Sequence, residues 1–355
     1  MPYRKHRISS LGGSLILSAL AVFPASAKPV YTSFDAPDAA NTYAQSINSS
    51  SEIAGFYQDT SGGVHAFVRA SDGTITTFDA SGAAATSAYG INRKGVVAGQ
   101  AEDAQRVHHG FVRSNSGSIK TFDVKGAGTG GGEGTWASAI NSTRSIVGYD
   151  LDSSFVYHAY LRDSGGNVVV YDAHGAGKGA AQGTLAYGLN ANSDTAGYLI
   201  DSSNAVHGFA RAADGTIATF DVSGAAGTSA YGINDSGSIT GSWFDPSAVE
   251  HGFLRAADGT ITQFDARDAG TGSYQGTFPF AINRAGNVVG YAIDSNNVFH
   301  GFLRTSGGKL KVIDAPGAGS AQYQGTSASA INDRGAIAGY YYDGNGIAHG
   351  FLRLP

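Results

Sequence analysis

The chain has 355 residues, 42% of them hydrophobic and only 14% charged, enough apolar material for a large core. Its 52 glycines point to many short strands and turns, and no long run of Ala, Leu, Glu and Lys at helical period follows residue 30. The absence of cysteine excludes a disulfide scaffold, a lipoprotein anchor and a thiolate metal site, and a net charge of −5 with no Lys/Arg cluster in the body of the chain argues against nucleic acid or an anionic membrane as partner.

Residues 1–27 read as a secretory signal peptide. Arg4, Lys5 and Arg7 precede an apolar stretch from Leu11 to Phe23, and Ala25-Ser26-Ala27 is a small-residue cleavage site. The stretch is short for a bilayer span and contains Gly12, Gly13 and Ser14, which favours cleavage over a retained anchor. The mature chain then starts at Lys28 as a single domain of residues 28–355. Losing three cations and no acid takes its charge to −8. The expected location is secreted or periplasmic in a bacterium, with no further membrane span.

The mature chain opens with a strand-like segment, Val30-Tyr31-Thr32-Ser33-Phe34-Asp35. One unit then recurs seven times. Asn48, Asn92, Asn141, Asn190, Asn234, Asn283 and Asn332 each lie seventeen residues before a histidine: His65, His109, His158, His207, His251, His300 and His349. Thirteen residues after each of the first six histidines stands Phe, Tyr or Ile followed by Asp, as in Phe78-Asp79 and Ile313-Asp314. Successive histidines are 44, 49, 49, 44, 49 and 49 residues apart, the length of a four-stranded propeller blade.

The unit from Thr228 to Ala266 shows its four strands in order. Thr228 to Asn234 is a short strand of small residues, closed by the Asp235-Ser236-Gly237 turn. Ser238 to Phe244 is the second, ended by Asp245-Pro246-Ser247. His251 to Arg255 is the third, and Asp258-Gly259 is a hairpin signal. Thr260 to Asp265 is the fourth, rich in β-branched and aromatic residues. Small residues place the first strand beside a crowded axis. Pro279, where other units carry Ala, is expected to distort its own blade.

The chain starts on a fourth-strand motif and stops on a third-strand motif, His349 to Arg353. Pairing these ends closes a ring and hides its strand edges. The expected fold is therefore all-β: a seven-bladed β-propeller of four-stranded blades, with the N-terminal strand closing the last blade. An open solenoid would not need complementary ends. A membrane barrel should show alternating strands of about ten residues with aromatic girdles.

His65-Ala66-Phe67, within His-Ala-Phe-Val-Arg, and the His-Gly-Phe-Leu-Arg copies resemble the HAF repeat of bacterial extracellular proteins. The likeness covers nearly all of the mature chain, although six of the seven copies carry Gly for Ala or Tyr for Phe. The resemblance implies export and a repeat-built β fold. It implies no activity.

A residue used seven times is read first as scaffold. Seven histidines on separate blades are too far apart for one metal site, so neither a metal nor another cofactor is expected. If the hairpin uses a three-residue loop with a bulge, His251 falls opposite Asp265, and a His–Asp pair repeats around the ring. Arg69, Arg113, Arg162, Arg211, Arg255, Arg304 and Arg353 are expected in ion pairs with an Asp of the same or the next blade. The acids eleven residues after each Asn, Asp59 to Asp343, are expected to cap turns. They lack the alternating acids and terminal Glu of a calcium loop.

Function is sought where the repeat changes. Four units carry five extra residues before the inner strand, in loops 126–135, 175–184, 269–277 and 317–326. Glu133, Gln182, Gln275 and Gln324 each precede Gly-Thr, and Trp136, Tyr274 and Tyr323 stand on or beside these loops. Aromatic rings beside amides make a sugar site, and all four loops emerge on one face near the axis. The reading is a non-enzymatic, monomeric module that binds an extracellular glycan or protein through that face. The alternative is a propeller hydrolase or lyase acting on extracellular polysaccharide, with Glu133 as its one non-repeated loop acid. No G-x-S-x-G, H-E-x-x-H or phosphate-loop motif supports it.

Overall fold

The computed structural model describes residues 28–355, which form 28 β-strands and no helix. The expected signal peptide, residues 1–27, lies outside the described residues. After β1 (Val30–Phe34) come β2 to β5 (Ala39–Ile47, Ile53–Asp59, Val64–Arg69, Ile75–Phe78) and β6 to β9 (Ala85–Ile91, Val97–Glu102, His108–Arg113, Ile119–Phe122). Then follow β10 to β13 (Gly134–Ile140, Ile146–Leu151, Tyr157–Arg162, Val168–Tyr171) and β14 to β17 (Gly183–Leu189, Thr195–Ile200, Val206–Arg211, Ile217–Phe220). The chain continues through β18 to β21 (Gly227–Ile233, Ile239–Phe244, Glu250–Arg255, Ile261–Phe264) and β22 to β25 (Gly276–Ile282, Val288–Ile293, Phe299–Arg304, Leu310–Val312). It ends with β26 to β28 (Gly325–Ile331, Ile337–Tyr342, Ala348–Leu354).

Each set of four is an antiparallel meander, paired as in β18–β19–β20–β21. The final three strands recruit β1 as their fourth: Val30 pairs with Leu354 and Phe34 with Gly350. The first strands of neighbouring sets touch one another in sequence, and β26 touches β2, so they close a cycle. The small-residue segment is thus the inner strand. Its glycines allow the approach: a Cβ on Gly188 would lie 2.8 Å from the Tyr231 carbonyl oxygen of the neighbouring inner strand.

The core lies in the wedges between sets. Seven clusters of buried apolar residues each span two neighbours; one packs Ile53 and Phe67 against Ala336, Ala338 and Leu352. The aromatic residue two after each repeat histidine, such as Phe209, is almost completely buried. It meets an aromatic ring edge-on or tilted, as Phe209 meets Tyr171 at 6.2 Å.

Two rings of hydrogen bonds tie the sets together. Each repeat Asn is buried; its Oδ1 accepts turn N–H groups, and its Nδ2 donates to the backbone oxygen of the next repeat Asn. The last of these bonds runs from Asn332 to Asn48 at 2.9 Å and closes the circle. The threonine six residues before each Asn accepts an N–H from the residue after the preceding strand's Asp, as Thr184 does from Ala173 at 3.0 Å. The same bond occurs at Thr42, Thr86, Thr135, Thr228, Thr277 and Thr326.

Pro279 does not distort its set. β22 pairs with β23 in the register the other inner strands use, Pro279 opposite Gly290, and its one irregularity is the bulge that every inner strand shares.

Candidate functional site

The repeat histidines sit at the outer hairpin. The Asp258-Gly259 turn is a three-residue loop, closed by the Ala256 N–H to Thr260 oxygen bond, with Gly259 left-handed at φ 92°. That register sets His251 beside Asp265, with Nδ1 2.9 Å from the carboxylate. All seven histidines make this contact, at 2.7 to 3.0 Å; His349 makes it with Asp35 of the chain start. In six of them Nε2 also faces the turn-capping Asp at 3.3 to 3.7 Å. Trp243 stacks on the seventh, His251, at 4.3 Å. Each imidazole is held on both sides by its own unit.

The repeat arginines do not form the expected ion pairs. Each guanidinium lies over an aromatic ring, as Arg211 lies over Tyr171 at 4.7 Å. Six use the ring of the preceding strand set. Arg353 uses Tyr31 at 5.8 Å, because Ile313 stands where the other sets carry Phe or Tyr. Packed between sets and partly buried, the arginine gains more from a π face than from a solvated carboxylate.

The amide and acid side chains of the long loops brace those loops. Glu133 is buried, and its Oε2 accepts the Gly130 N–H at 2.7 Å. Gln182 Oε1 accepts from Gly179 and its Nε2 donates to Asn204. Gln275 does the same with Gly272 and Asn297, and Gln324 with Ala321 and Gly344. Tyr274 and Tyr323 project outward, 77% and 65% exposed, from left-handed backbone whose N–H is anchored to Ala248 and Asn297. Of the residues singled out from the sequence, only Trp136 lines the axial cavity on this side.

That cavity lies on the axis, at the end where the inner strands begin, and encloses about 490 Å³. Every inner strand carries a β-bulge, and the bulged residues are Gln45, Tyr89, Ser138, Tyr187, Tyr231, Phe280 and Ser329. All seven line the cavity. A bulge re-aims a side chain, and here it turns one residue per repeat toward the axis. Opposite each bulge a glycine lets the strand lean in: a Cβ on Gly148 would sit 1.9 Å from the Trp136 carbonyl oxygen.

The wall is aromatic with scattered amides and hydroxyls. Trp136 stacks on Tyr149 at 5.3 Å, and Tyr187 on Tyr198 at 5.5 Å, each at 17° between planes. Burial raises the phenols of Tyr89, Tyr149, Tyr187, Tyr231 and Tyr340, so all five remain neutral. Gln100 Oε1 and Ser327 Oγ, both on the wall, are buried without a hydrogen-bond partner. Beside the wall, His108 lies tilted against Trp136 at 4.3 Å and faces Glu102 at 3.9 Å; burial pushes its pKa down. Burial raises the carboxyl of Glu250, which opens β20. The repeat spacing conceals the bulge position, because its residue varies from Gln to Tyr to Ser. That variation inside an otherwise constant unit is the signal that could have found it.

A second axial cavity of about 520 Å³ lies at the opposite end, around the Asn ring. Its charged wall residues are Arg93, Asp235, Arg284 and Asp333. Arg284 is engaged there: its guanidinium pairs with Asp235 at 3.1 Å, and its N–H donates to Asp333. Among the described residues no helix is long and apolar enough to cross a membrane.

No family model matches the chain, and no curated protein does. Solved structures do. The BP39L lectin of Burkholderia pseudomallei aligns over 90% of this chain and 99% of its own, with TM-score 0.50 and 9% identity. A puromycin hydrolase aligns over 88% of this chain and 55% of its own, with TM-score 0.51 and 11% identity. TolB of Acinetobacter baumannii aligns over 85% of this chain and 79% of its own, with TM-score 0.46 and 10% identity. At such identities the likeness to the first two is one of fold, a β-propeller, and carries no activity with it.

Proposed function

We propose that the chain is a secreted or periplasmic seven-bladed β-propeller: one monomeric domain of residues 28–355, its N-terminal strand completing the last blade, and a member of the HAF-repeat family. It acts as a non-enzymatic binding module for an extracellular glycan. The ligand seats in the axial cavity, and the exposed Tyr274 and Tyr323 extend the contact across the long-loop face.

One observation carries the reading. The scaffold repeats its His, Asp, Arg, Asn and Thr around the ring, yet the seven side chains turned onto the axis by the bulges are allowed to differ. A structural plug would favour one residue that packs against its own copies. A wall of rings, amides and hydroxyls, two of whose polar atoms lack partners, has the makings of a carbohydrate site. The volume lies within the range of small-molecule sites. A catalytic reading would place a carboxylate pair on this wall, whose residues are instead aromatic, amide, hydroxyl and alanine.

Trp136 reports on the site directly. Titration of the mature protein with a panel of soluble oligosaccharides should change its fluorescence saturably. Tyr187→Leu should weaken that binding about tenfold or more while the circular dichroism spectrum is kept. Glycan binding that Tyr187→Leu leaves unchanged would move the site off the axis.

A further inference from the structure

We infer that the axial cavity selects a ligand carrying a positively charged nitrogen, such as an amino sugar or a substituted ammonium group. This rests on the cavity being the binding site, and adds the charge of what it takes.

The electrostatics of the wall are one-sided. Its ionisable residues are tyrosines, and it carries no lysine or arginine. Tyr89, Trp136, Tyr149, Tyr187, Tyr231 and Phe280 place π faces or edges on one enclosed space. A ring face is electronegative, and several around a desolvated cation are the known means of holding alkylated ammonium.

Two acids stand close to this cage on different strand sets. Glu250 opens β20, is partly buried, and has Oε2 without a hydrogen-bond partner. It stands opposite Phe244 on β19, the strand that pairs with β18, which carries Tyr231 of the wall. Glu102 faces His108, whose ring lies against Trp136. Arg106, 79% exposed, pairs with Glu102 at 3.7 Å, a solvent-screened contact that offsets only part of the acid's charge.

Two of the unpartnered atoms point the same way. Gln100 Oε1 only accepts hydrogen bonds, and Glu250 Oε2 only accepts when ionised, so both call for a donor, while Ser327 Oγ can serve either way. An ammonium or a hydroxyl beside one supplies it. An anionic sugar would bring a second acceptor to a site already rich in them. The overall charge of −5 favours approach of a cation from a distance.

The test uses the mature chain at neutral pH and low salt, read by Trp136 fluorescence and calorimetry. Glucosamine oligomers are compared with their N-acetylated counterparts, and choline with its uncharged isostere 3,3-dimethylbutanol. The expected result is at least a tenfold preference for the charged member, weakened by salt and lowered severalfold in Glu250→Gln and in Glu102→Gln. Two variants on different strand sets guard against a local folding defect in one. Equal or tighter binding of acetylated oligomers overturns the charge selection and leaves glycan binding intact. Choline binding without any sugar binding supports the charge selection and overturns the glycan reading. Binding of none of the four overturns both.

Discussion

At the residue scale, the same atoms serve packing and pH response. Burial alone would lower the histidines, but in His65, His109, His158 and His207 the flanking aspartates outweigh it and the net shift is upward. In His300 the hydrogen bond its Nδ1 donates to Asp314 is itself the largest influence, and the shift is again upward. A raised histidine stabilises the fold fully below its unfolded value of about 6.5, and that contribution is lost as pH climbs through the folded value. Asp150, buried opposite His158, adds a loss that runs from about pH 4 to about pH 7 and is complete above it. Burial raises its carboxyl to about 7, so the folded chain holds a proton that the unfolded chain releases near pH 4. The turn-capping acids act at the other end. The Ser61 hydroxyl and the Gly63 N–H hold Asp59 at about 2, and the Ser203 hydroxyl and the Ala205 N–H do the same for Asp201. Their contribution is present above about pH 3.9 and is lost as pH falls through about 2. Melting temperature should therefore peak in mildly acidic buffer and fall toward pH 8 and toward pH 2. His207→Gln should shrink the alkaline fall, and Asp150→Leu, which copies Leu199 of the next repeat, should raise the melting temperature at pH 8 more than at pH 5. A curve that rises from pH 6 to pH 8 in the parent protein would contradict this assignment.

At the scale of the strand, the units are joined less by sheet pairing than by side chains. Between sets the described pairing narrows to single parallel bridges, such as Val206 opposite Gly227. The threonine ring, the arginine–aromatic stacks and the buried Phe and Tyr residues hold one set to the next. Thr184 tests this. Replacing it with Val keeps the shape but leaves the Ala173 N–H buried without an acceptor, at a cost of about 1–3 kcal/mol in chemical denaturation. Thr184→Ser, which restores the hydroxyl, should recover most of that loss. Much of this scale was legible in the sequence. The turns of Asp235 to Gly237 and Asp258-Gly259 lie where expected, and the spacing of fourteen between His251 and Asp265 foretold their contact. The arginine partners were not legible, because a spacing along one unit says nothing about which ring of a neighbour comes within reach. The bulge at Tyr187 or Tyr231 was equally hidden. An extra residue in a strand is visible only against the partner strand that lacks one.

At the scale of the whole molecule, closure rests on contacts between the two ends of the chain. β1 pairs with β28, Asp35 receives His349, Tyr31 takes Arg353, and Asn332 donates to Asn48. Asn332→Ala removes the last bond of the Asn ring and the cap of its own turn, and should cost about 2 kcal/mol or more. Deleting residues 28–35 should cost far more, exposing the β28 edge and driving self-association measurable by size-exclusion chromatography. A deletion that left the protein monomeric and equally stable would remove closure as the source of stability. The sequence by itself determined the repeat, the strand order within it and the complementary ends, because those follow from spacing and from turn and strand chemistry along one chain. Only the tertiary structure decided where the candidate site lies. It gathers one bulged residue from each of seven units, 44 or 49 positions apart, onto a single axis, and no local pattern encodes that convergence.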